Sequence, residues 1–264
     1  MKEHTDSGQA LVETALVMPL FVFIMLGTLQ LGLMHQARAL TTYAAYKAVR
    51  AGSLHHADRD VMARAAAAVL LPMISWQSSG VEKVVPVRDG VEYARKVQLI
   101  RALSLFVPPV EVIICGPTRN NARGTAGIDP VARRNANEIQ FDAPLNLPAA
   151  DWRASDRTKL RIEVTFNYRM PIPFANMFLY QIARGQEDAE LLWVTRTGFE
   201  QTRRRRVEAR VRHDAMARAG LGYTLPIRAT YAMRMMSDLY PDRSGFALPT
   251  SNECHIPFAK GGGE

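Results

Sequence analysis

Residues 8–34 read GQALVETALVMPLFVFIMLGTLQLGLM, an apolar run interrupted by Pro19, Gly27 and Gln30. From Ala10 to Met34 the run is about 25 residues, roughly 37 Å as a helix against a hydrocarbon core of about 30 Å. That length suffices to span a bilayer. No other stretch approaches it without charges, so one N-terminal membrane helix is expected, with the rest of the chain outside the lipid. Glu13 is out of place in the first turn of this otherwise chargeless helix. A carboxylate there needs either a partner or a shallow position near the headgroups.

Gly8 gives Glu13 a context. A cut after Gly8 would make Gln9 the first residue and Glu13 the fifth, at the head of an apolar helix. This arrangement resembles the processing site of type IV pilins and pseudopilins. The Gly, the Ala-x-x-Glu core and the apolar run containing Pro19 look specifically like the TadE family of minor pseudopilins from tight-adherence (Flp) pilus systems. The resemblance covers residues 8 to 50. It implies a prepilin-type peptidase acting between Gly8 and Gln9, and a Glu13 that pairs with a neighbouring subunit's N-terminal amine. Other pilus subunits and an inner-membrane assembly platform are the implied partners, with no cofactor and no catalytic role. The implied division is a leader over 1–8, a transmembrane and stalk helix over 9–53 and a periplasmic domain over 54–264.

Two rival readings concern the N-terminus. Counting positive charges sets Lys2 and the α-amine against Arg38, Lys47 and Arg50, which puts the large domain in the cytoplasm. Pilin-like proteins instead keep the leader inside and export the rest. A cleaved secretory signal is the other rival, and Ala37-Arg38-Ala39 offers an Ala-x-Ala site. The apolar region is too long for that signal and contains Glu13, so an anchor is the better reading.

With 264 residues and 48% apolar content, the chain can bury a sizeable core after the membrane helix is set aside. The net charge of +8 suits an anionic partner without choosing among lipid, nucleic acid and acidic polymer. Cys115 and Cys254 lie outside the helix. In an oxidising compartment they can form one bridge, whose loop of about 139 residues would stabilise by up to about 5 kcal/mol through chain entropy. In the cytoplasm they are ordinary thiols.

The helix is expected to continue beyond Met34 on a stripe of Ala39, Tyr43, Tyr46 and Val49, and to stop near Gly52-Ser53. Pro19 removes the bond to the Ala15 carbonyl and is expected to bend the membrane half. Residues 58 to 71 read as a second helix with Asp58 as N-cap, a stripe of Val61, Ala65 and Val69, and Pro72 at its end. A strand is expected over 81–87, a helix over 91–106 ended by Pro108-Pro109, and a buried strand over 110–115. Residues 116–137 read as a long loop, with alternation resuming at Ile139 and Phe141.

The clearest strand follows. Leu160, Ile162, Val164, Phe166 and Tyr168 line one face, and Arg161, Glu163, Thr165 and Asn167 the other, with Pro171 and Pro173 stopping it. Residues 175–183 read as a short apolar helix that packs on the sheet or touches the bilayer surface. Residues 227–235 alternate again through Ile227, Ala229, Tyr231 and Met233. The tail after Pro249 is expected to lack structure except around Cys254.

The conspicuous polar feature is the arginine run Arg203, Arg204, Arg205 and Arg206, continued by Arg210 and Arg212. It suits anionic lipid or nucleic acid, and equally a solvated helix face. No aromatic interleaving or nucleic-acid fold signature accompanies it, which disfavours nucleic acid. His35, His55, His56 and His255 lack ligand-spaced partners and read as structural or surface residues. No nucleophile elbow, Walker loop, zinc-protease motif or dinucleotide fingerprint occurs. Asp129 and Asp142, beside prolines, are turn residues.

The expectation is therefore an α+β protein: a long transmembrane helix running into a stalk, then an extramembrane domain with an antiparallel sheet and packed helices. Functionally the resemblance implies a non-enzymatic minor pilin or assembly component in the inner membrane. The alternative is a membrane-tethered module whose cytoplasmic domain binds anionic lipid or nucleic acid through the arginine run.

Overall fold

A computed structural model describes residues 7–74, 76–78, 81–83, 89–103, 107–118, 141, 159–194, 200–219, 222–240, 248–249, 252 and 254–255. Helix α1 (Ser7–Leu54) is a single element of 48 residues that runs through Pro19, about 72 Å long at 1.5 Å per residue. Its start at Ser7 places Glu13 in the second turn rather than the first.

The two halves of α1 differ in what surrounds them. Residues 11 to 20 are exposed throughout, whereas from Gln30 onward buried positions recur as far as Ser53. The buried face of the second half is Ala37, Thr41, Ala44, Ala45, Ala48 and Val49. Ala39 and Tyr43, expected in the stripe, are exposed, and Tyr46 is half-buried. The face that meets the domain is marked by small size rather than by hydrophobicity, because methyl side chains let a helix lie close against a sheet.

A turn through His56 and Ala57, with φ of 55° and 61°, reverses the chain into α2 (Arg59–Leu70). Asp58 caps α2 as expected, accepting from the Asp60 and Val61 N–H groups. The buried stripe is Met62, Ala66 and Leu70, one position on from the expected set, which is only half-buried. A 3-10 turn over Leu71–Met73 holds Pro72. A short hairpin pairs β1 (Trp76–Ser78), which the sequence reading missed, with β2 (Val81–Lys83). Helix α3 spans Gly90–Leu103.

The main sheet has three antiparallel strands in the order β3-β4-β5: β3 (Val110–Gly116), β4 (Lys159–Arg169) and β5 (Thr224–Arg234). Register sets Val164 opposite Val112 and Ala229, and Ile162 opposite Ile114 and Tyr231. Leu160, Ile162, Val164, Phe166 and Tyr168 therefore share one face with Ile227, Ala229, Tyr231 and Met233, as their alternation requires. That face covers the second half of α1 and the stripe of α2, giving one continuous core.

Among the described residues, two helices lie between β4 and β5. The first, α4 (Ala175–Val194), is about twice the expected length, and α5 (Glu200–Arg218) follows. The remainder of the expected strand at 84–87, most of the loop over 116–137, Ile139 and most of the tail lie outside the described residues.

Candidate functional site: the head of the long helix

Gly8, exposed, lies in the first turn of α1, where backbone N–H groups lack intrahelical acceptors. A Cβ placed on Gly8 would meet no heavy atom within 4 Å. Glycine at this point is thus not required by packing within the chain. Glu13 is exposed among Leu11, Val12, Leu16 and Val17, all themselves exposed. Pro19 sits six residues further on, within the same exposed segment. The side chain of Gln9 lies outside those described.

The domain closes on α1 at Gln30, whose side chain is 0% exposed. Gln30 Oε1 accepts the Ile172 N–H at 3.1 Å, tying the helix to the chain just after β4. Seven residues earlier, Phe23 packs edge-on against Phe178 of α4 with ring centroids 5.3 Å apart. At the far end, Ser53 O accepts the Met236 N–H and the Ser237 hydroxyl. Helix α1 is gripped at both ends of its second half, and its first half projects.

The second face of the sheet holds the bridge that the sequence offered between Cys115 and Cys254, and beside it a polar clasp that the sequence did not show. Cys115 of β3 and Cys254 are joined, with Cα atoms 5.4 Å apart. The adjoining His255 clamps Glu163 of β4 twice, its N–H donating to Oε2 at 2.8 Å and its Nδ1 lying 2.7 Å from Oε1. Glu163 is fully buried. A strand that alternates so cleanly gave no sign that its polar face is also covered. Further along that face, His213 of α5 bonds the Thr224 hydroxyl through Nδ1 at 2.6 Å. Its pKa falls from 6.5 to about 4, first through burial, then through Arg228 and Arg212, against an opposing pull from Asp214.

The arginine run occupies the first half of α5, a helix polar on almost all sides. Arg212 is exposed and Arg210 half-buried; the side chains of 203–206 lie outside those described. The structure places Arg203, Arg204, Arg205 and Arg206 together on this one helix. His55 and His56 bond the Ala51 and Asp238 carbonyls and close the α1–α2 corner. No cluster of three metal-ligating side chains occurs among the described residues.

A helix of this length and hydropathy meets the requirement for crossing a membrane, and it is the one candidate span among the described residues. No curated protein and no solved structure matches the chain. The segment carrying Gly8, Glu13 and Pro19 does have a match: residues 8–50 fit the family described as TadE-like protein, so this stretch of the chain is a TadE-like segment.

Proposed function

We propose that the chain is a non-enzymatic, single-pass component of a tight-adherence (Flp) pilus system, processed between Gly8 and Gln9 and assembled through Glu13. The TadE-like segment points to a pilus-associated role, and that family is not known for enzymatic members. The observation that carries the reading is the exposed Glu13 on the projecting half of α1, where a neighbour's amine could compensate it within a low-dielectric helix bundle. The domain is exported: the joined Cys115 and Cys254 suit an oxidising compartment. The partners are then other pilus subunits and an inner-membrane platform.

Mass spectrometry of the membrane form tests the processing step. Gln9 should be the first residue, and Gly8→Ala should block or slow the cut. Because a Cβ at Gly8 meets nothing, a loss of cleavage reports on the peptidase rather than on folding. Glu13→Gln should leave cleavage and membrane insertion intact, since the amide is easier to bury than a carboxylate. It should reduce co-purification with the other pilus components. Normal assembly of Glu13→Gln together with an uncut wild-type N-terminus would sink the proposal.

A further inference from the structure

We infer that α4 is an interfacial helix: the face formed by Phe174, Met177, Phe178 and Ile182 lies in the bilayer leaflet on the domain's side of the membrane. The inference rests on the reading that α1 spans that bilayer, and it holds for either orientation of the chain.

The position of α4 follows from the hydrogen bonds. Strand β5 runs alongside α1, so that its start lies near Gln30 and its end near Ser53: Met170 binds Tyr223 O, Ile172 binds Gln30, and Met236 binds Ser53 O. The chain enters α4 immediately after Ile172, at the end of the sheet nearest the projecting half of α1. Tyr180 and Arg184 both bond Asp214 of α5 at 2.6 Å, holding α4 across that end of the domain.

The outward face of α4 is apolar where a water-facing helix would be polar. Phe174 is 75% exposed, Met177 54%, Phe178 51% and Ile182 46%. Positions 174, 177, 178 and 182 fall on one side of a helix, with Gln181 and Gly185 between them, while Ala175 and Tyr180 point to the core. Phe174 also has a φ of 64°. A bulky residue in the left-handed region is strained backbone that persists only where surrounding structure enforces it. Here the conformation presents a phenyl ring outward. Water gives no return for that arrangement, whereas lipid does.

The patch is continuous with the membrane-spanning surface through the Phe23–Phe178 contact. If the span occupies about 20 residues from Gln9, it ends near Thr28. Phe23 then lies about 7 Å below that boundary at 1.5 Å per residue. That depth matches the roughly 5–10 Å at which interfacial helices bury their apolar faces. It also shortens the lipid-embedded part of α1 relative to the run ending at Met34, because Gln30 is already enclosed by protein.

Spin labels on single added cysteines test the assignment in the full chain, with the native disulfide intact, in phosphatidylethanolamine–phosphatidylglycerol vesicles. Met177→Cys reports on α4, Val17→Cys on α1 and Val211→Cys on the exposed surface of α5. At Met177→Cys, collisions with oxygen should exceed those with a water-soluble nickel chelate several-fold, as at Val17→Cys, and the order should reverse at Val211→Cys. A water-like Met177→Cys beside a lipid-like Val17→Cys overturns the interfacial helix and leaves the span standing. Shielding of Met177→Cys from both reagents overturns it in favour of a second copy of the chain on this face. A water-like Val17→Cys removes the span itself.

Discussion

At the scale of single residues, His213 couples the domain's stability to pH. Burial, with Arg228 and Arg212 close by, lowers its pKa from 6.5 to about 4, so the folded protein resists a proton that the unfolded chain accepts. Between those two values the unfolded state binds more protons, and stability therefore falls as pH drops through the window. The contribution is fully present above about pH 6.5 and is lost as pH falls, the loss amounting to about 3 kcal/mol by pH 4. Urea titrations of the full chain in detergent should show a midpoint that falls between pH 7 and pH 4.5. His213→Gln, which keeps a polar neighbour for Thr224, should fall less; an unchanged slope would remove His213 from the account. Residues like this one carry no sequence signature, because the cause lies in what surrounds the ring. Asp58, by contrast, was legible: its cap depends on N–H groups two and three residues away.

At the scale of elements, legibility followed the origin of each face. Strand β4 was legible because period-two alternation and burial coincide. The buried side of α1 was not, because hydrophobicity points to Ala39 and Tyr43 while the sheet selects for small side chains such as Ala44, Ala45 and Ala48. Helix α2 was found with its stripe one position out, since Val61 and Met62 are both apolar and only packing decides between them. Glycines within α1 test the role of size. A Cβ on Gly52 would lie 2.8 Å from Met62 Cγ and 2.9 Å from Leu160 Cδ2, whereas one on Gly32 would meet nothing within 4 Å. Gly52→Ala should therefore cost about 1–3 kcal/mol through overpacking. Gly32→Ala should be neutral or stabilising by up to about 1 kcal/mol, because alanine is the better helix former. Denaturant unfolding of the two variants compares one substitution in one helix; equal effects would show that α1 is not held to the domain by close approach.

At the scale of the whole molecule, the sheet is a layer with a different partner on each side. One face takes α1 and α2 in an apolar core, and the other takes a polar set that includes Glu163, Thr165 and His213. The sequence made the first face readable and left the second obscure, because its cover comes from His255, 92 residues away from Glu163. The joined cysteines bring Cys254 to β3, and His255 then closes on Glu163 of the central strand. This clasp makes the C-terminal segment part of the domain's stability. Removing the imidazole with His255→Ala takes one partner from a buried carboxylate while the backbone N–H of residue 255 remains, a change that should cost up to about 3–5 kcal/mol. Glu163→Gln in the same background keeps an acceptor for the backbone N–H of residue 255 but removes the charge, so the double variant should regain a substantial part of that loss. Urea unfolding of the full chain in detergent, under non-reducing conditions, compares the wild type, His255→Ala and the double variant. A double variant no more stable than His255→Ala alone would show that the buried charge of Glu163 is not what His255 compensates.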